Sequence, residues 1–267
     1  MIEGLSLSIR CQSFVADIPA RAPFLNIKQF NGYYGCLNCF HPGEYDQDCG
    51  KVIFKPHENI PLKTHAIYNQ LSKTAELENS PQFGIKGTTS LSKLFCIPDQ
   101  IPYDYMHLVL QGHCKWLLQK MFKSKSSPIF ISDYNSLEQS LLKIKVPHFM
   151  NRKPRSLKEI SKWKSVEIKI FCFYLAVPLL IDFIPSIYYC HIACYIFAMR
   201  TLYEPISKNN LKDVEEIIIK YVDFIGKYYG NYAYDFTIHA HLHLVKQVEQ
   251  HGPLKSHSQF VFEVLLN

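Results

Sequence analysis

Between Pro128 and Gly230 the chain places its apolar residues almost without interruption at three- and four-residue intervals, a pattern that predicts packed helices. The set Leu211, Val214, Ile218, Tyr221, Ile225 and Tyr228 is one such face. The most apolar passage, Ile170 to Met199, is divided by Asp182 and interrupted by Pro178 and Pro185. A membrane-spanning helix needs roughly 20 predominantly apolar residues, so this passage predicts two buried core helices and no membrane partner. An all-helical block of roughly a hundred residues has the size of an inserted subdomain. With 267 residues, 48% hydrophobic and 14% aromatic, the chain holds enough apolar material for one large domain carrying such an insertion.

The flanks of this block read differently. Leu5, Leu7, Ile9, Cys11, Ser13 and Val15 alternate with Ser6, Ser8, Arg10, Gln12 and Phe14, which predicts a strand that ends at Asp17. Pro19 then suits the first turn of a helix, where its missing N–H costs little. From Tyr33 to Pro56, Gly35, Pro42, Gly43 and Gly50 punctuate short apolar pieces, including Lys51 to Lys55, as in a hairpin carrying a cysteine knuckle. Leu62 to Leu77 is helical in pattern, and Pro81 to Pro98 is loop-rich, with Gly84-Ile-Lys-Gly87 inside it. Met106, Leu110, Cys114, Leu117 and Met121 predict a helix of about five turns that begins at Asp104. Lys123 to Pro128 is a polar break, and no internal repeat is present.

Charge is modestly positive, with 29 Lys+Arg against 23 Asp+Glu, which suits a polyanionic partner without requiring one. The nine cysteines are an odd number, and Met1 to Arg10 contains Glu3 and no apolar core of signal-peptide length. Both favour a reducing compartment.

Three groups of residues carry potential chemistry. Asp17 stands at a strand end, Asp104 before a helix, and Glu263 among the apolar residues of Phe260 to Leu266. Helix capping accounts for either aspartate alone, and an exposed position on an amphipathic helix accounts for Glu263. Cys36-Leu-Asn-Cys39 pre-spaces two thiolates for tetrahedral zinc but supplies only half a site. His41, Cys49, His57, His65 and His107 are candidates for the other half, and two unmetallated thiols are the alternative. On one helix His239 and His243 share a face and form a possible metal pair; ordinary hydrogen-bonded histidines are the alternative. His107, three residues after Asp104, shares its side of the helix and is placed to orient that carboxylate or to meet a phosphate.

Several stretches occur in an order that resembles the transposases of CACTA-type (En/Spm-like) elements and their host-genome relatives. They are Asp17-Ile-Pro-Ala-Arg-Ala22, Gln29 to Cys39 with His41-Pro-Gly-Glu44, Gly84-Ile-Lys-Gly87, Asp104-Tyr-Met-His107, Leu157 to Lys164, His239 to His243, Gly252-Pro-Leu254 and Ser258 to Glu263. The resemblance implies an α/β, RNase H-like mixed sheet with flanking helices, interrupted by a large all-helical insertion. Residues 1–122 would form the first part of the catalytic core with its CxxC knuckle, 123–232 the insertion, and 233–267 the C-terminal core helix region. In that comparison the chain starts at the first core strand and ends four residues after Glu263, so the last helix is expected to be cut short.

The resemblance further implies a DDE-type cut-and-paste DNA transposase in the nucleus, with Asp17, Asp104 and Glu263 holding Mg²⁺ or Mn²⁺. Phosphodiester hydrolysis and strand transfer would result, on transposon ends and target DNA, in a possible homo-oligomer. Cys36 and Cys39 stay candidate zinc ligands by their spacing alone, with two unmetallated thiols as the alternative. His107, Arg21 and Lys86 are the expected DNA contacts, with Lys28, Arg152, Lys153 and Arg155 as further cations beside the phosphates. Two rivals share these residues: a decayed or domesticated transposase that binds nucleic acid or protein without cleavage, and a zinc-stabilised interaction module in which the acids are caps.

Overall fold

A computed structural model describes residues 10–145, 147 and 153–260. It is mostly helical, with one small antiparallel hairpin. Helix α1 (Ile18–Leu25) precedes the hairpin strands β1 (Glu44–Asp46) and β2 (Lys51–Ile53), which are followed by α2 (His65–Leu77). A long helix then starts in wide π-type turns over Met106–Cys114 and tightens into α3 (Lys115–Phe122). The helical block contributes α4 (Asn135–Lys143), α5 (Ser165–Ile170), α6 (Ala176–Leu180), α7 (Ser186–Tyr203) and α8 (Lys208–Tyr229). Two short helices, α9 (Phe236–His241) and α10 (Leu244–His251), complete the order.

Helix starts follow local chemistry. Asp17, Thr64, Ser207 and Asp235 each accept a hydrogen bond from a backbone N–H in the first turn of α1, α2, α8 and α9, satisfying donors that have no partner within the helix. The apolar passage divides as its sequence predicts, into the segment ending at Leu180 and helix α7, but α7 is buried on one side only, with Ile187 and Phe197 exposed on the other; no helix of the described residues is long and apolar enough to cross a membrane. Met106, Leu110, Cys114, Leu117 and Met121 are all buried, so their spacing marked a true core face.

The expected mixed sheet is not what the described residues form. Their one named sheet is the two-stranded hairpin, with Glu44 opposite Ile53. Residues 1–9, which include the first five residues of the expected entry strand, lie outside the described residues. The residues after them form an extended segment: Phe14 N–H donates to Gln100 O at 2.9 Å, and Ala16 forms an isolated parallel bridge with Tyr103.

Two apolar clusters result. The larger joins the Met106–Phe122 helix to the helical block and includes Cys36 and Cys39; the smaller lies under α1 and α2 and includes Leu25, Leu37, Tyr68 and Ile97. The cysteine knuckle therefore sits at the seam between them. Gly84 makes this packing possible: at φ 87° it lies so close to the knuckle that a Cβ would fall 2.1 Å from the carbonyl oxygen of Tyr34.

The larger core contains a polar string. His113 Nε2 meets Tyr221 Oη at 2.5 Å, His191 Nε2–H donates to Tyr221 O at 3.0 Å, and Tyr195 Oη lies 2.9 Å from His241 Nε2. Burial pushes His191, His241 and His257 down from 6.5 to about 4. A histidine held neutral in the fold contributes stability that is complete above its unfolded value and is lost as pH falls towards its folded one. Folding stability should therefore drop between pH 6.5 and 4, by up to about 4 kcal/mol per pH unit where all three protonate on unfolding. Urea unfolding midpoints between pH 7.5 and 5 measure this, and a flat profile would contradict it.

Candidate metal centre

The CxxC loop is held in place before any cation is considered. Phe40 N–H donates to Pro61 O at 3.0 Å and Lys63 N–H to Asn38 O at 2.9 Å, so the segment around Leu62 braces the knuckle. The histidines come from the other end of the chain. Sequence spacing predicts His239 and His243 on one helix, but α9 ends at His241 and α10 begins at Leu244, so a turn separates them. That turn still leaves the two rings 5.3 Å apart, centroid to centroid.

Cys36 Sγ lies 3.3 Å from His243 Nε2 and Cys39 Sγ lies 3.3 Å from His239 Nε2, a contact across 200 residues of sequence. All four donor atoms fall within 4.8 Å of one another, and all four residues are buried. Tetrahedral zinc with ordinary Zn–S and Zn–N bonds requires donor separations of about 3.4–3.8 Å, and this cluster already approximates such a figure. It is a buried Cys₂His₂ set able to hold a tetrahedral cation.

Its surroundings are electrostatically matched. Lys63, only 1% exposed, donates from Nζ to Cys36 O at 2.7 Å and to Phe83 O at 2.9 Å; burial brings its ammonium below the usual lysine value, while the neighbouring thiols favour its charged form. Burial opposes ionisation of both cysteines. Against it, the hydrogen bond from Cys39 and the nearby imidazoles hold Cys36 well below the usual thiol range. Donating that bond pushes Cys39 up, with burial adding to the effect. The pair thus releases a first proton readily and a second only with difficulty, and a divalent cation is what stabilises two adjacent thiolates.

The other expected ligands have different duties. His41 Nδ1 accepts from Gly43 N–H at 3.0 Å, so Nε2–H donates to Lys55 O at 2.6 Å; the ring packs edge-on against His239 without reaching the donor cluster. Burial lowers His41 to about 4. Cys49 lies in the hairpin turn, where its N–H donates to Asp46, and His65 Nδ1 accepts from Ile97 N–H. His57 is exposed and packs against His41.

The acidic residues stand apart from this cluster. Asp17 and Asp104 each follow a partner in the Ala16–Tyr103 bridge, where neighbouring strands run about 5 Å apart. Asp17 Oδ1 accepts from Ala20 N–H at 2.7 Å. Asp104 is 2% exposed, and its Oδ2 accepts from His107 N–H at 2.9 Å and from His107 Nδ1 at 2.5 Å. Its Oδ1 accepts from Gln259 N–H at 2.8 Å. Burial alone would raise Asp104; the bond from the His107 ring and the two backbone N–H groups outweigh it and bring it below the usual carboxylate value. The Gln259 side chain also donates to Val15 O at 3.2 Å, so this late segment touches both acid-bearing segments. Glu263 lies outside the described residues, and no third donor among those described closes a tight group around Asp17 and Asp104.

Arg21 requires a correction. It is not a surface cation for DNA: it is 3% exposed, its guanidinium donates to Pro102 O and Ile101 O at 3.0 and 2.9 Å, and it stacks 4.1 Å from the Tyr103 ring centre. Burial of that charge is offset by the carbonyls and the ring, so Arg21 fastens α1 to the Asp104 segment. His107 lies on Asp104's side, as its spacing predicts, with its ring against the carboxylate. Lys86 is exposed, with its backbone N–H bonded to Asn26 O at 2.8 Å. Arg152 lies outside the described residues.

Gln247 was not legible as a site residue. Its Oε1 accepts from Tyr103 N–H and its Nε2 donates to Tyr103 O, each at 2.8 Å, so one amide imitates a neighbouring strand. The same NH₂ donates to His257 Nε2 at 2.7 Å, which fixes the amide's orientation. Gln247→Leu would strand both backbone groups of Tyr103 and is expected to cost about 2–4 kcal/mol. Denaturant unfolding checks this, and a loss below about 0.5 kcal/mol would show that the clamp is dispensable.

Comparison with protein-family models, with curated proteins and with solved structures finds no match to this chain.

Proposed function

We propose that the chain is the catalytic region of a DDE-type cut-and-paste DNA transposase with an RNase H-like core, stabilised by structural zinc. The observation that supports this reading is the parallel bridge between Ala16 and Tyr103, the residues directly before Asp17 and Asp104 in two segments far apart in sequence. Gln259, four residues before Glu263, contacts both segments. That supports Glu263 as the third acid.

In this reading Asp17, Asp104 and Glu263 would hold Mg²⁺ or Mn²⁺, and carboxylate oxygens are the hard donors those ions prefer. Such ions activate the attacking oxygen and stabilise the leaving one at a phosphodiester. The chain's own residues set the geometry: His107 fixes the rotamer of Asp104, and Arg21 and Gln247 hold the strand that presents it. Asp17 Oδ1 is committed to its helix cap, which orients the other oxygen. At the second site, two thiols and two imidazoles are the donors zinc selects, and four protein ligands leave no open position for substrate. Zinc there would be structural.

The test is Mn²⁺- or Mg²⁺-dependent nicking of element-end DNA by the chain, extended at either end where the locus permits. Equal cleavage by Asp104→Ala and the parent would remove Asp104 from the chemistry. A second reading, a zinc-stabilised interaction module, is favoured by one observation: protein donors already engage both oxygens of Asp104. Calorimetric titration with Mg²⁺ separates the two, since the module shows no binding that depends on Asp17 and Asp104.

A further inference from the structure

A cavity of about 470 Å³ adjoins the Cys₂His₂ cluster, enclosed by α8, α10 and the segment 56–62 that follows the hairpin. Cys39, His239 and His243 form part of its wall, and Cys36 does not. In a tetrahedral set each donor stands opposite the face made by the other three, so the face opposite Cys36 is the one turned to the cavity. Ile60, Leu62, Ile219, Leu242 and Val245 make another part of the wall and offer no side-chain donor. The exposed part carries Glu215, Asp223 and Glu249. Glu215, Ile219 and Asp223 follow at intervals of four on α8, which sets both acids on one helix face, and Glu249 joins them from α10. None of the three acids is ion-paired among the described residues, and the one lysine of the wall, Lys246, lies 3.4 Å from Asp99. A chain of net charge +6 repels cations as a whole, so three unpaired carboxylates at the cavity reverse that field locally.

We propose that this cavity is the path by which Zn²⁺ enters and leaves the folded protein, gathered by Glu215, Asp223 and Glu249 and delivered to the face formed by Cys39, His239 and His243. The path presupposes zinc at the cluster, as the functional reading has it. Carboxylate oxygens bind Zn²⁺, but thiolates and imidazoles are the ligands it selects, so the cation passes from weaker donors to stronger ones. The apolar wall between them holds nothing that would arrest it. A buried centre without such a path would load only as the chain folds.

Stopped-flow mixing of the metal-free full chain with Zn²⁺, followed with a zinc indicator, tests this, with circular dichroism verifying that the metal-free chain keeps its helices. The parent should take up one equivalent. At about 0.01 M salt, where the Debye length is about 30 Å, the triple variant Glu215→Gln, Asp223→Asn, Glu249→Gln should load about 10-fold more slowly. At about 1 M salt, with a Debye length of about 3 Å, parent and triple variant should converge. Ile219→Trp, at a wall position 44% exposed, should slow loading severalfold at both salt concentrations by filling the cavity, with the final zinc content unchanged. A parent that binds zinc yet loads no faster than the triple variant, or no faster than Ile219→Trp, overturns the path and leaves the zinc centre standing. A metal-free chain without helices overturns it too, because zinc then arrives with folding. A parent that takes up no zinc removes the centre itself, and the path with it.

Discussion

Cys39→Ser is expected to remove one equivalent of bound zinc from the chain and to lower its melting temperature by about 10 °C or more. Structural zinc contributes about 10–16 kcal/mol of apparent binding energy in small zinc domains, and losing even about 4 kcal/mol shifts a domain of this size by that amount. The loss should be large because the four ligands fasten two distant parts of the fold. Cys36 and Cys39 belong to the knuckle at the seam of the two cores, while His239 and His243 sit on α9 and at the entry to α10. His239→Ala should do the same damage as Cys39→Ser, and the double variant little more, since one ligand lost already forfeits the metal. Elemental analysis together with thermal melts checks this. Parent protein without zinc, or a Cys39→Ser variant that melts like the parent, would leave the cluster as four packed side chains. His41→Gln is the control: its ring contacts a ligand histidine but lies outside the donor set, so zinc content should persist.

The second large effect is expected at Asp17. Asn caps helices about as well as Asp, so Asp17→Asn keeps an acceptor for Ala20 N–H while removing the charge. Stability should change by less than about 1 kcal/mol, and metal-dependent nicking should fall by about 10³-fold or more, the scale of several kcal/mol of lost metal stabilisation. Asp104→Asn should lose as much activity but also some stability, because the buried amide can no longer accept from His107 and Gln259 together without turning a donor towards one of them. The contrast between the two variants separates chemistry from folding. Full nicking by Asp17→Asn would rule out its carboxylate as a metal ligand, whatever Asp104 does.

Much of this molecule is local. The apolar spacing from Met106 to Met121 and from Leu211 to Ile225 dictates helices because only a helix brings those residues to one side, and the same residues are buried. Asp17 before Pro19 starts a helix by hydrogen bonds that reach three residues, and the Gly-punctuated passage around Lys51 pairs as a hairpin for equally short-range reasons. Each half of the Cys₂His₂ cluster was visible too, as a CxxC and as a histidine pair four residues apart.

Their union was not visible. Spacing constrains donors only within a few residues, whereas Cys39 and His239 meet because two cores pack and bring their surfaces together. The same packing turned Arg21 from an expected phosphate contact into a buried clamp, and it recruited Gln247 and Lys63, whose residue types signal nothing by themselves. Sequence determined which segments are helices and which residues offer metal donors; tertiary packing decided which of those residues are neighbours. The physical reason is range: backbone hydrogen bonds and capping act over three or four residues, while burial of apolar surface acts between any two segments that exclude water together.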